Sequence, residues 1–299
     1  MILRPFDPWE SPSCTCPAKL SLNPYTGCQH GCLYCYATSY IPRFWECRPK
    51  ADLQRRLARE AARVEPGALV AMSNSSDPYP PLEKDLRLTR RCLQVLKEND
   101  LLVQVVTKSH LVARDADLLC RMQAVVAITV TTLCESLSRR LEPGAPLPEA
   151  RLDALRALRE AGVAVSARID PIIPGINDSE IEDLVTAVAR AGAMHITSST
   201  YKARPDSLRR ICSAFPEEGR RLIALFSGER RTAGGLRLPG DMRAGLMGRV
   251  KEIAIREGAT FASCREDLVP MPYVNCDGSH LLQRRIVDGS LWQVRKKSK

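Results

Sequence analysis

No run of eighteen apolar residues occurs in this 299-residue chain, so a membrane-spanning helix is not expected. The opening residues, MILRPFDPWESPSC, lack the apolar centre of a secretory leader, and the expected location is the cytoplasm, with no membrane partner. With 44% hydrophobic and 26% charged residues, neither a disordered chain nor a coiled coil fits. No internal repeat or low-complexity tract interrupts the sequence. These absences leave a chain long enough to bury one large α/β core, alone or with an extension.

Two things are present in excess. Twelve cysteines are many for a reducing compartment, where disulfides are rare and clustered thiols more often bind metal or catalyse. Cys92, Cys120 and Cys134 stand singly in apolar patterns and read as small buried hydrophobes. The net charge is +10, with a pI of about 9.1. A basic surface fits a polyanionic partner, because phosphate neutralisation supplies most non-specific affinity for nucleic acid. The many Arg-Arg pairs equally fit an ordinary Arg-rich composition, so charge alone leaves the partner open.

Along the chain, short apolar runs alternate with helical patterns. Strands are expected near 19–22 and over 68–76, 101–109, 124–132, 163–175 and 193–200. Helices are expected over 87–99, 115–122, 148–162 (stopped by Gly162), 178–192 (capped by Asp178 or Ser179) and 246–259. Uninterrupted apolar strands alternating with helices imply a parallel sheet covered by helices. The expected fold is therefore α/β, a partial (β/α)6 TIM-like barrel over 19–215. A short N-terminal extension (1–18) precedes it and an irregular C-terminal extension (216–299) follows. The strand ends read SNSSD, TKS, TVTT, RIDP and TSST. In parallel barrels ligands gather at those ends, and five polar ends in succession predict a shared site rather than five separate helix caps.

Cys28, Cys32 and Cys35 lie in GCQHGCLYCY with spacing C-x3-C-x2-C. A tetrahedral zinc site wants four ligands, usually from two cysteine knuckles, and the nearest fourth candidate, His30, is poorly placed inside the first loop. Three close thiolates suit a [4Fe–4S] cluster whose fourth iron stays free of protein ligands and can bind another molecule. Gly27 and Gly31 would let the backbone wrap around such a cluster.

This loop, following a first strand and carrying Tyr34 before its last cysteine, resembles the signature of radical S-adenosylmethionine (SAM) enzymes. The resemblance implies that the open iron chelates the methionine part of SAM. It also implies that an electron, from a donor such as flavodoxin or ferredoxin, releases a 5′-deoxyadenosyl radical that abstracts a substrate hydrogen. It places Tyr34 against the adenine and sets Ser75, Ser76 and Asp77 where the family usually has a Gly-rich strand end at the methionine amino group. Lys108, Ser109 and Arg168 end later strands, where a cation would hold the methionine carboxylate. Ser198 and Ser199 fall at the ribose.

NPYTGCQHGCLYCYA and SSDP further resemble the spore photoproduct lyase branch and its DNA repair photolyase homologues. Tyr36 matches the tyrosine that follows the third cysteine there. In that lyase a cysteine after the second strand donates hydrogen to the product radical, whereas here Asn74 stands in its place. The resemblance thus implies the radical machinery and makes Tyr36 and Asn74 the candidate catalytic positions, while leaving the substrate open. DNA-lesion repair and RNA base modification lead, by a lyase- or transferase-type reaction. The rivals are a peptide or small-molecule substrate and a non-catalytic Fe–S protein. Basic residues between Lys202 and Lys251, with the end RRIVDGSLWQVRKK, would meet phosphates.

Cys14, Cys16, Cys264 and Cys276, with His280, form a second candidate set that would join the chain's two ends around an Fe–S cluster or zinc. A core role for Cys264, a turn role for Cys276 and a redox-active pair are the alternatives. Cys47, beside Phe44 and Trp45, reads as core packing with a stacking surface as its rival.

Overall fold

Six strands pair in parallel, all but the short first of them mostly buried, as in a sheet covered on both faces. They are β2 (Leu20–Leu22), β3 (Leu69–Met72), β4 (Leu102–Thr107), β5 (Ala124–Thr129), β6 (Ala164–Ile172) and β7 (His195–Thr200), preceded by β1 (Arg4–Pro5). A later strand, β8 (Thr260–Ser263), completes the sheet in the order β1-β2-β3-β4-β5-β6-β7-β8. The edge strand β1 runs antiparallel to β2, with Arg4 opposite Ser21, while β8 runs parallel to β7, with Thr260 opposite His195. This is the α/β, partial TIM-like barrel expected from the alternation. The computed structural model describes residues 1–6, 11, 13–72, 75–228, 231–232 and 235–285. No helix among them is long and apolar enough to cross a membrane.

Every residue of β5 is buried because helices cover one side and the barrel interior the other. The covering helices include Leu88–Glu98, Pro148–Glu160 and Ile181–Arg190, each burying one apolar face. Pro148 sits at the first turn of its helix, where a missing N–H costs nothing. That helix ends before Gly162, which takes φ +78°. The cap expected at Asp178 or Ser179 is displaced: residues 178–180 form a 3₁₀ turn and the α-helix begins at Ile181. Asp178 instead accepts a hydrogen bond from Gly175 N at 2.7 Å.

Beyond residue 215 lie helices Pro216–Phe226 and Gly240–Arg256, then β8. The buried Glu266 carboxylate ties this part to the end of β7. It accepts from Thr200 N at 2.8 Å and Lys202 Nζ at 2.6 Å, and Arg243 Nη1 stands 3.3 Å away. Residues 275–282 then enter the barrel. A Cβ on Gly278 would lie 3.2 Å from Ser166 Oγ, and Leu281 and Leu282 pack on Leu69, Val125 and Ala164. Those partners sit in the first halves of their strands, so the segment plugs the barrel's lower end.

Cys92 is buried and Cys120 half-buried, but Cys134 corrects the sequence reading. It is exposed at the start of helix Glu135–Leu141, with its sulfur 3.2 Å from Ser136 Oγ. The apolar residues around it, Leu133 and Leu137, do pack on the core, but Cys134 itself turns outward. Cys47 is partly buried against the core, and Phe44 is buried beside the half-exposed Trp45.

Candidate active site

The three-cysteine loop is held by backbone fits that side chains would spoil. At Gly27, φ is +82° and a Cβ would stand 2.5 Å from Phe44 O, while Cys28 N donates to that same carbonyl at 2.8 Å. On its other side the loop rests on the end of helix Glu135–Leu141. Leu33 N donates to Leu141 O, and Gly144 N donates to His30 O, each at 2.9 Å. A Cβ on Gly144 would meet Gln29 O at 2.1 Å. Gly144→Ala is therefore expected to push the loop off its seat. The expected cost is about 1–3 kcal/mol by overpacking, read as a lower melting temperature together with faster loss of bound iron; unchanged values for both would contradict this fit.

Arg210, on helix Pro205–Ala214, clamps the loop's last turn. Its Nε donates to Leu33 O and its Nη2 to Cys35 O, both at 2.9 Å, and Asp206 holds the guanidinium at 3.1 Å. Asp206 also accepts a hydrogen bond from Thr38. Nothing in the spacing around 27–36 points to residue 210, so sequence reasoning missed it.

Beneath the loop lies a buried charge network that was also missed. Glu142 and Arg151 pair at 2.5 Å, both fully buried, and Lys108 Nζ stands 4.0 Å from Glu142. The Tyr34 hydroxyl donates to the Glu142 carboxylate, and Lys108 lies 5.4 Å from the Tyr34 ring centroid. Arg151 also donates to Pro146 O and Thr129 O. Burial alone would raise the Glu142 pKa, but Arg151 and Lys108 outweigh it and hold the carboxyl at about 2. Burial pushes the Cys28 thiol up to about 12 and raises Cys32 and Cys35 as well. His30 is pushed down by burial, so it is neutral, and its 3.4 Å approach to Asp77 is a contact between a neutral ring and a carboxylate.

The loop roofs a cavity of about 550 Å³. Cys28, Cys32, Cys35, Tyr34, Tyr36, Ser75, Ser76, Asp77, Lys108 and Arg168 all line it, as do Ser199, Cys14, Cys16, Cys264 and Cys276. The strand ends thus do converge. Asp77 is clamped there by Thr107 Oγ1 at 2.6 Å, Lys108 N at 2.8 Å and Tyr79 N at 2.8 Å. Ser75 N donates to Asn23 Oδ1 at 3.4 Å. The Ser76 hydroxyl is buried with no hydrogen-bond partner among the described residues. Tyr36 stacks on Tyr40 with centroids 6.1 Å apart.

Two expected residues are used elsewhere. The Ser109 hydroxyl caps the next 3₁₀ turn by accepting from Leu111 N, and the Ser198 hydroxyl donates to Ile169 O. Asn74 lies outside the described residues.

Asp170 is a further residue missed. The register of β6 against β7 shifts between Ile169 and Ile172, which brings Asp170 to the cavity wall. It pairs with Arg168 at 2.5 Å and accepts from Ser199 Oγ at 2.5 Å. Burial opposes its ionisation, but Arg168 and Lys202 keep its pKa at about 2. The RIDP motif carried the signal, two oppositely charged residues two apart on one strand face.

Three thiols with no fourth protein ligand in their loop, and glycines where any Cβ would collide, fit a cluster with one open iron. Among the described residues no three His, Cys, Asp or Glu side chains converge as ligands of a single ion. A four-iron cluster does not ask for that, since each cysteine binds a different iron. Cys28, Cys32 and Cys35 are the residues that would hold it.

A family model described as the radical SAM superfamily matches residues 22–188. An uncharacterised protein of Methanocaldococcus jannaschii is 34% identical over 180 residues, covering 59% of this chain and 68% of that protein. A radical SAM Nα-GlyT isomerase of Pseudomonas phage M6 is 23% identical over 254 residues, covering 81% of this chain and 53% of the isomerase. The chain therefore spans about half the length of that relative. Among solved structures, a spore photoproduct lyase variant with bound AdoMet and dinucleoside spore photoproduct has the same fold. Its TM-score is 0.65 at 16% identity, with 84% of this chain and 78% of that chain covered.

Proposed function

The chain belongs to the radical SAM superfamily, and from that premise we propose that it abstracts hydrogen from a nucleic-acid substrate held below the cysteine loop. A bound [4Fe–4S] cluster supplies the electron that splits SAM and so provides the abstracting radical. This chain's residues hold, orient and enclose. Cys28, Cys32 and Cys35 are the cluster ligands, and the Glu142–Arg151–Lys108 network keeps their loop seated. Ser75, Ser76 and the clamped Asp77 offer polar contacts on the β3 side of the cavity. Arg168, Asp170 and Ser199 offer a cation, a carboxylate and a hydroxyl on the β6–β7 side. The plug at 275–282 shuts the lower end against water.

One observation carries the substrate class: the cavity that holds the three thiols is lined by six basic side chains against three carboxylates. Four of the six, Lys19, Lys108, Arg168 and Lys202, are paired with Asp277, Glu142, Asp170 and Glu266, so a modest positive excess remains to favour an anionic ligand. Tyr40 lines the cavity and is half exposed, as is Trp45 on the segment after the cysteines, and the Arg210 guanidinium lies 5.6 Å from the Trp45 ring centroid. Aromatic faces beside cations are what a splayed base stacks on. The dinucleoside bound by the structurally similar lyase supports the same reading.

The basic stretch between Lys202 and Lys251 needs correction as a phosphate surface. Lys202, Arg237 and Arg243 turn inward to Glu266, and Arg210 clamps the loop. Among the residues whose side chains are described, Arg209, Arg220, Arg221, Arg249 and Lys251 are the exposed ones. Most of the basic end expected at phosphates lies outside the described residues.

Binding to DNA and to transfer RNA is expected to weaken with salt, roughly 10²-fold between 50 and 200 mM for about four phosphate contacts. With deuterated nucleic acid, label is expected in the 5′-deoxyadenosine formed. Salt-independent binding, or label arriving only from peptides or small molecules, would overturn the substrate class while leaving SAM cleavage intact.

A further inference from the structure

We propose that Cys14, Cys16, Cys264 and Cys276 form a second metal site, a four-thiolate centre for zinc or an iron–sulfur cluster that staples the two edges of the open sheet. The inference concerns these four thiols alone and does not depend on the substrate.

Topology brings them together. Cys14 and Cys16 lie between β1 and β2 at one edge of the sheet, and Cys264 directly follows β8 at the other. Cys276 begins the segment that plugs the barrel. Cys16 Sγ and Cys276 Sγ stand 3.3 Å apart although 260 residues separate them. Cys14 is in hydrogen-bond reach of Cys16, and Cys264 of the Arg168 guanidinium. All four face the same cavity and all are free thiols.

The backbone that carries them is fixed without any metal. Cys264 N donates to Ser198 O at 2.8 Å, extending the β7–β8 pairing by one residue. The Cys276 carbonyl accepts from Thr197 Oγ1 at 2.7 Å. Its neighbour Asp277 pairs with Lys19 at 2.5 Å, both side chains nearly fully buried, and its carbonyl accepts from Gln104 Nε2 at 2.6 Å. Lys19 in turn lies just before β2, three residues after Cys16. Both halves of the set are thus held in register by the same buried ion pair.

The bland alternative is that four small hydrophobes happen to meet. A buried thiol used for packing wants apolar neighbours only, whereas these line a cavity that also holds the Lys19 and Arg168 side chains. Four thiolates around one zinc carry a net charge of about −2, and Lys19 and Arg168, each already paired with a carboxylate (Asp277 and Asp170), supply nearby N–H donors to such a charge. The thiols do not yet surround one point. The 3.3 Å contact is shorter than the roughly 3.8 Å edge between sulfurs placed about 2.3 Å from a tetrahedral zinc, so loading would spread Cys16 and Cys276 slightly.

The test is metal and sulfide analysis of the full chain, purified and handled anaerobically. About eight irons per chain supports the site as an iron–sulfur cluster, and about four irons with one zinc supports it as zinc. About four irons and no zinc overturns the proposal, as does a Cys16–Cys276 disulfide found by mass spectrometry in the same material. Cys16→Ser with Cys276→Ser is expected to lose the second metal and keep the four irons of the loop cluster; retention of the second metal would also overturn it. Should that pair of changes prevent folding, Cys28→Ala with Cys32→Ala empties the loop instead. That variant is expected to retain the second metal, and finding it free of metal, with all four thiols open to alkylation, sinks the site.

Discussion

Alanine at Cys32 is expected to leave a folded chain that holds no loop cluster and forms 5′-deoxyadenosine only at background. Cys32 is buried in a loop whose geometry is set by other atoms: Leu33 N on Leu141 O, Gly144 N on His30 O, and Arg210 on the carbonyls of Leu33 and Cys35. Losing one sulfur therefore costs about 1 kcal/mol of packing, within the ordinary range for a point change. The chemical loss is far larger. Disturbing only an outer-shell partner of a metal ligand costs about 10–100-fold, so removing one of three ligands is expected to cost on the order of 10³-fold or more in SAM cleavage. Iron analysis, a melting curve on cluster-free protein and 5′-deoxyadenosine measured after reduction separate the two effects. The exposed Cys134, replaced in the same way, is expected to change none of them. SAM cleavage at the parental rate in the Cys32 variant would sink the assignment of the loop.

What the sequence could and could not disclose follows from the range of the interactions. Most of the six parallel strands were legible because they are buried on both faces and so read as apolar runs; the short Leu20–Leu22 is only half-buried, and His195–Thr200 is buried but largely polar. The spacing of Cys28, Cys32 and Cys35 was legible because a cluster constrains residues that are neighbours in the chain. Glu142, Arg151 and Arg210 were not, since each reaches the loop from more than a hundred residues away and has an ordinary polar neighbourhood in sequence. Leu53, Leu57 and Ala61 do carry the i, i+4, i+8 pattern of the helix Leu53–Ala61, absent from the sequence reading, and show that legible signals can also be passed over. Ser109 and Ser198 illustrate a different limit. A polar residue at a strand end can serve a ligand or its own backbone, and the choice depends on a rotamer that sequence does not encode.

The second large effect is expected at Glu142, where the cost of a buried charge can be read against pH. At neutral pH, Glu142→Gln leaves the Arg151 guanidinium and the Lys108 ammonium without their carboxylate under the loop, and breaking a buried pair in this way costs about 3–5 kcal/mol. The acid limb gives the sharper test. The Glu142 carboxyl is held at about 2, against an ordinary value of 4.5, so the folded state favours the ionised form. Its contribution is fully present above pH 4.5 and is lost as pH falls from there through about 2. By the shift alone that contribution is about 3 kcal/mol, which agrees in size with the cost of breaking the pair. Denaturant midpoints measured on cluster-free protein between pH 6 and pH 2 are therefore expected to fall more steeply in the parent than in Glu142→Gln, with the two curves converging at the acid end. Parallel curves would mean that Glu142 is not the group being titrated. Replacing the pair together, as Glu142→Leu with Arg151→Met, is expected to restore more stability than Glu142→Gln alone retains, because no buried arginine is then left unpaired. The same double variant would still lack the acceptor for the Tyr34 hydroxyl, so its loop is expected to release iron faster even where the fold has recovered, separating what the network does for stability from what it does for the cysteines above it.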